Sequence, residues 1–283
     1  MAQPFSWRLM GALLLLFAMM GGVILRLVGN ARAMPVVRHL EIALPFPKDA
    51  HRQPITLALM TDTHVGPENS PERMARIVDQ VNALKPDLVV LGGDYIADAK
   101  GGGAYGPAAS IAPFARLRAR LGVVAVLGNH DSPSHSRIDR RQWHDLFAAI
   151  GIRLLDNQAV RRGPLALGGL RDIYTGRPDI PGTLEQMQAL GGVRVVLSHG
   201  PDVFPQLPDQ PMLALVGHTH CGQVAFPFLG IVNVPSRYGT RYACGIYREG
   251  ARTMVVSGGV GTSRLPIRML APPDLWLITI HPQ

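Results

Sequence analysis

From Leu9 to Leu25 the chain reads LMGALLLLFAMMGGVIL without a charged residue, and Val28 carries the apolar stretch past a single interruption at Arg26. It lacks the polar stripe at the 3.6-residue period that a helix packed on a globular core would show. One bilayer crossing takes about 20 such residues, so the pattern predicts an uncleaved transmembrane anchor over residues 1–29. A cleaved signal peptide is the rival reading, because Ala31-Arg32-Ala33 has the small-x-small form of a processing site. Against cleavage, the run exceeds the usual apolar region of about 7–15 residues and only Arg8 precedes it. Arg26, Arg32 and Arg38 follow the span, so the positive-inside rule leans toward a domain on the cytoplasmic face, with the exported side as the alternative.

Residues 30–53, rich in Pro and Arg, read as a linker. From residue 54 to 283 short β-branched runs alternate with helical patterns, which predicts an α/β domain, and no internal repeat is visible. The segment 70–84 shows the helical kind: Ser70 as N-cap, Pro71 at the first helical position, and Met74, Ile77, Val78, Val81 and Leu84 on one face. Five apolar runs read as buried strands: ITLALM from Ile55, DLVVLG from Asp87, GVVAVLG from Gly122, VRVVLS from Val193 and MLALVG from Met212. In turn they run into Asp62-Thr63-His64, Gly93-Asp94, Asn129-His130-Asp131, Ser198-His199 and His218-Thr219-His220.

Composition narrows the choices. With 283 residues and 47% hydrophobic content the chain buries a substantial core. Cys221 and Cys244 are the only cysteines, so neither a disulfide framework nor a Cys-rich zinc site is available. The formal charge of +8 is carried by arginine, since Lys48, Lys85 and Lys100 are the only lysines. Guanidinium groups suit phosphate oxygens, though a solvated basic surface explains the excess equally well. Aromatics do not interleave with Arg116, Arg118 and Arg120 or with Arg137, Arg140 and Arg141, so no nucleic-acid partner is expected. An anionic lipid surface fits the charge more easily.

Alone, the stretch GHTHCGQ from Gly217 fits a zinc knot, a redox thiol or two turn histidines. The five strand ends decide between them, because the carboxyl ends of strands in an α/β sheet converge on one crevice. Every end offers Asp, His or Asn, which predicts a metal site. Carboxylate, imidazole and amide oxygen suit manganese, iron(II), zinc or magnesium. Asp62, His64, Asp94, Asn129, His199, His218 and His220 exceed what one tetrahedral ion uses, whereas two ions sharing a carboxylate use them all. Cys221, between alternate residues of an extended segment, is expected to point away from its neighbours and to serve packing.

The ordered set Asp-x-His, Gly-Asp, Gly-Asn-His-Asp, a lone His and Gly-His-x-His resembles that of the calcineurin-like metallophosphoesterases, over roughly residues 55–220. The resemblance implies a four-layer α-β-β-α sandwich of two mixed sheets flanked by helices, and a dinuclear site. It implies that Asp62, His64 and His220 hold one ion, that Asn129, His199 and His218 hold the other, and that Asp94 bridges them. His130 would then be the catalytic acid. The family often carries an Asp three residues after the bridging one to orient that histidine, whereas here Asp98 stands four residues on, which leaves Asp131 as the candidate support for His130. The segments PSRYG from Pro235 and GTSRLPIR from Gly261 resemble the bacterial branch with an N-terminal membrane or export segment, some members of which act on lipid-linked phosphates. A single-pass enzyme of the bacterial inner membrane is expected, hydrolysing a phosphodiester, phosphomonoester or pyrophosphate bond, with membrane lipids and a lipid-linked phosphate ester as partners. A tethered phosphodiesterase of soluble substrates is the alternative within enzymes. A non-catalytic metal-bound scaffold is the alternative outside them, and it has no use for His130 beside the ligands. Gly258-Gly259-Val260-Gly261 reads either as backbone donors to a phosphate or as a plain Gly-rich turn.

Overall fold

The computed structural model describes residues 7–47, 53–97 and 105–283; Asp98, Lys48 and Lys100 lie outside the described residues. In chain order the elements are α1 (Trp7–Arg32), β1 (Val36–Leu44), β2 (Ile55–Met60), α2 (Pro71–Ala83), β3 (Leu88–Leu91), α3 (Pro107–Ile111), β4 (Val123–Ala125), α4 (Pro133–Ser136), α5 (Arg140–Ala149) and β5 (Arg153–Leu154). There follow β6 (Gln158–Arg162), β7 (Leu165–Gly169), α6 (Ile180–Leu190), β8 (Val193–Leu197), β9 (Met212–Val216), β10 (Ala225–Phe226), β11 (Gly230–Ile231), β12 (Gly245–Glu249), β13 (Arg252–Val256) and β14 (Asp274–Pro282).

Two six-stranded mixed sheets form the centre, with orders β1-β14-β2-β3-β4-β5 and β12-β13-β9-β8-β7-β6. Period-2 alternation distributes each strand between two layers. On β2, Leu57 and Leu59 join the core between the sheets, with Leu213, Leu215 and Val255 from the other sheet. Ala58 and Met60 face the other way, into the layer under α2 and α5, with Met74, Ile77, Val78, Val81, Trp143 and Phe147. The second sheet has its own outer layer, where Ile180 and Met187 of α6 meet Ala166, Val196 and Met254. This is the expected four-layer arrangement. Leu59 is fully buried between the sheets, so Leu59→Ala should cost about 2–5 kcal/mol through lost transfer energy and a cavity.

α2 starts as its sequence predicts, with Ser70 Oγ accepting the Arg73 N–H at 3.3 Å and Pro71 in the first turn. Residues 36–44, read above as linker, instead form β1, which pairs in parallel with β14 from Val36↔Asp274 to Leu44↔Pro282. Pro35, Pro45 and Arg38 disguised a strand whose Leu40 and Leu44 are buried in the core and whose Arg38 Nε donates to Asp274 Oδ2 at 2.7 Å. Most of the helix α1 stands clear of this body, and its last turns are bonded to it, through Leu27, Asn30 and Arg32. Within Met10–Arg32 an 18-residue stretch has a mean hydropathy of 2.2 and none of it is buried, and the whole helix of 26 residues spans about 39 Å.

Candidate metal centre

The parallel strands β2, β3 and β4 of one sheet and β8 and β9 of the other release their chains at one edge of the sandwich. There the backbone turns left-handed at the predicted ligands: φ is 51° at Asp62, 40° at His64, 55° at Asp94, 72° at His218 and 52° at His220. Each such residue costs about 1–2 kcal/mol and persists only where its surroundings over-determine it. Glycine makes two of the turns possible, since a Cβ at Gly128 would strike the Asp94 carboxylate and one at Gly217 the Asp62 carboxylate.

Three histidines are fixed in tautomer by a carbonyl behind each ring. His64 Nδ1 donates to Ile96 O at 3.2 Å, His199 Nδ1 to Gly92 O at 2.9 Å, and His218 Nε2 to Pro235 O at 2.9 Å. The opposite nitrogens therefore present lone pairs. His64 Nε2 faces His220 Nε2 at 3.2 Å, and His199 Nε2 faces His218 Nδ1 at 3.1 Å. Asp94 Oδ2 lies 3.2 Å from His199 Nε2 and 3.5 Å from His64 Nε2, and Asp62 Oδ1 lies 3.5 Å from His220 Nε2. Asn129 Oδ1 is 3.1 Å from His199 Nε2. Donor lone pairs aimed at one another without protons to share are repulsive unless a cation sits among them. Asp62, His64 and His220 form one group and Asp94, His199 and His218 another, each with ligand atoms within 4.8 Å of one another. The donors thus suit two divalent ions, with Asp94 reaching toward both groups.

The electrostatics agree. Burial lowers the His64 imidazole to about 4 and the His218 imidazole to about 3, so both are neutral at ordinary pH, the form in which an imidazole can bind a metal. Burial raises the Asp62 carboxyl to about 6. Burial by itself would lower His199 and raise Asp94, but the pair move the opposite way because each stabilises the other's charge. A proton between these two groups occupies the place a cation would take.

His130 is held beside this cluster. Its N–H donates to Asp94 Oδ1 at 2.8 Å, its Nδ1 is buried without a partner, and its ring lies edge-on to His64 with centroids 4.8 Å apart. His130 also falls within ligand distance of His64 and Asp94. Asp131 does not reach that ring. Its carboxylate accepts the backbone N–H groups of Asp94 at 2.8 Å, Tyr95 at 2.9 Å and Gly128 at 2.8 Å, which clamps the β3 and β4 ligand loops together.

Several supporting residues escaped the sequence reading. Tyr174 stacks on His218 with centroids 4.0 Å apart, and no motif near it signals this. Arg268, fully buried, donates to the carbonyls of Gly258, Gly259, Gly261, Ala271 and His220; its RLPIR context was visible but its role was not. The Gly-rich segment is a turn: Gly258 N–H goes to Asp274 Oδ1, Gly259 N–H to Ser257 Oγ, Val260 N–H to Thr61 O and Gly261 N–H to Asp62 O. Its donors are thus used within the protein, which removes the phosphate-cradle alternative. Cys221 does more than pack, because it forms a disulfide with Cys244. The extended geometry assumed for its orientation does not occur, since φ is also positive at Cys221 and Gln223.

The sequence profile of the calcineurin-like phosphoesterases matches residues 55–222. "Uncharacterized metallophosphoesterase YkuE" of Bacillus subtilis is 31% identical over 227 residues, 78% of this chain and 77% of that protein. "Phosphodiesterase YaeI" of Escherichia coli is 30% identical over 205 residues, 69% of this chain and 71% of its own. "Transmembrane protein with metallophosphoesterase domain" of Danio rerio is 29% identical over 269 residues, and the aligned part covers 89% of this chain but 58% of that longer protein.

Proposed function

The chain belongs to the calcineurin-like phosphoesterase family and is a metal-dependent phosphoester hydrolase, and from that premise we propose that it is anchored to a membrane by α1 and cleaves a phosphodiester or pyrophosphate bond in a lipid-linked substrate. The observation carrying this reading is that the last turn of the apolar helix is tied to the loops bearing the metal donors. Arg73 donates to the carbonyls of Arg32 and Ala33 and to Asn69 Oδ1, and Asn69 Nδ2 donates to Thr63 O, between Asp62 and His64. The names of the E. coli and zebrafish relatives, a phosphodiesterase and a transmembrane protein, support the two halves of the reading.

We assign Asp62, His64 and His220 to one ion, Asn129, His199 and His218 to the second, and Asp94 to both. Bound divalent ions supply charge neutralisation at the phosphoryl oxygens and an activated water nucleophile. The chain's residues do the rest. Carbonyls of Ile96, Gly92 and Pro235 aim the imidazoles, Asp94 fixes the His130 backbone, and the protonated His130 ring hands its proton to the departing oxygen. Asp131 acts as a positioning residue through the three N–H groups it accepts.

Two signals bear on the membrane face. Arginines after the span favour the cytoplasmic side, but Arg32 pairs with Glu68 at 2.6 Å and Arg38 with Asp274 at 2.7 Å, so the fold itself accounts for both. The Cys221–Cys244 disulfide favours an oxidising compartment, and we place the hydrolase on the exported side. Hydrolysis by the full chain, reconstituted with manganese, of mono-, di- and pyrophosphates in soluble and lipid-linked form tests the substrate assignment. Preference for lipid-linked diesters or pyrophosphates is expected; equal turnover of soluble diesters would favour the tethered soluble-substrate enzyme.

A further inference from the structure

The β10–β11 hairpin exposes its apolar tip. Phe228 is 107% exposed and Leu229 76%, and on the neighbouring 263–270 loop Leu265 is 60% and Leu270 68% exposed. Outside α1, the large exposed apolar side chains of the described residues fall in two places: at Met34 and Val36, just past the end of α1, and within residues 226–238 and 265–270. A soluble surface gains nothing from such clustering, and contiguous exposed apolar groups mark interaction sites.

Backbone bonds stitch these segments to one another and to the helix. Ala225 N–H donates to Met269 O at 2.8 Å, and Met269 N–H to Gln223 O at 3.0 Å. Arg268 N–H donates to Leu27 O at 3.1 Å, and Asn30 Nδ2 to Arg268 O at 3.3 Å. The hairpin, the 263–270 loop and the last turns of α1 are therefore one connected edge.

We infer that this hairpin and loop form a docking rim that seats in the leaflet from which α1 emerges, with Phe228, Leu229, Leu265 and Leu270 entering the lipid. The inference rests on the proposed reading of α1 as a membrane span. Interfacial anchors need only reach about 5–10 Å into the headgroup and acyl boundary, a depth that side chains at the tip of a hairpin continuous with the end of α1 can supply. Arg26 and Arg264, both exposed, flank the rim where anionic headgroups would meet them. Gln223 Nε2 donates to Leu265 O at 2.7 Å, and Gln223 stands three residues after His220. The rim thus continues directly into a metal-ligand loop, which would hold the centre at the level of lipid-borne phosphate.

Full-length Phe228→Trp protein, reconstituted in phosphatidylethanolamine–phosphatidylglycerol vesicles with or without bromine on the upper acyl chain, tests this against wild type. Trp143 and Trp276 are buried in the domain, and wild type supplies the baseline for them and for Trp7. Retention after carbonate washing, together with at least about two-fold quenching of the added fluorescence by bromolipid, is the expected result. Retention without extra quenching would overturn the docking rim while leaving the span intact. Release from the vesicles by carbonate would overturn the span, and the rim with it.

Discussion

His130 donates its backbone N–H to Oδ1 of Asp94 at 2.8 Å, which leaves Oδ2 of the same carboxylate turned toward His199 and His64. One side chain thereby sets both the metal donors and the proposed acid. Asp94→Asn keeps the shape but removes the charge shared between the two donor groups. Elemental analysis under saturating manganese should fall from two ions per chain to one or fewer, and kcat/KM should drop by at least about 100-fold. Two tightly held ions in the variant would refute the shared role.

Asp131 should be needed for stability as much as for turnover. Its carboxylate satisfies three backbone N–H groups in a fully buried setting, and an unsatisfied buried donor costs about 1–3 kcal/mol. Asp131→Ala should therefore lose about 3 kcal/mol or more in denaturant titration. Asp131→Asn, which keeps one acceptor oxygen, should lose less. If Asp131→Ala were as stable as wild type and lost only rate, a direct catalytic part for Asp131 would have to replace the positioning one.

The residues gathered at this edge were legible as a cluster because each follows an uninterrupted apolar run, and a buried parallel strand delivers whatever follows it to the sheet edge. What holds them was not. The carbonyls of Gly92, Ile96 and Pro235 belong to backbone, which carries no residue-type signal, and Tyr174 reaches His218 from a loop with no pattern of its own. β1 was hidden because its register is set by β14, more than 230 positions away. The reason given for the orientation of Cys221 does not hold, because alternation requires an extended chain, and left-handed turns at His218, His220 and Cys221 break it.

The disulfide gives a test of compartment. Cys221 and Cys244, 23 positions apart, close a loop beside His220, and such a link contributes about 2–4 kcal/mol. Protein taken from cells under acid quench should accept no thiol-reactive label until reduced. Protease added to intact spheroplasts should degrade the domain. The Cys221→Ser, Cys244→Ser double variant should melt at lower temperature. Free thiols in the cellular protein, with a protected domain, would restore the cytoplasmic placement.

The role of His130 separates chemistry from metal binding. Its ring stands at the edge of the cluster with Nδ1 unpartnered, and its backbone, not its side chain, is what Asp94 holds. Removing the ring in His130→Ala should leave two ions bound while lowering the rate by roughly 10²–10⁴-fold, the span expected of a general acid. The loss should shrink with a nitrophenolate leaving group, which departs without a proton, and stay large with an alkyl alkoxide. His220→Ala, by contrast, should lower metal occupancy and slow both substrates alike. Because His130 also lies within ligand distance of His64 and Asp94, the metal count is the deciding readout. An ion lost from His130→Ala, or equal slowing of the two leaving groups, would make the ring a ligand and leave the departing oxygen to find its proton elsewhere.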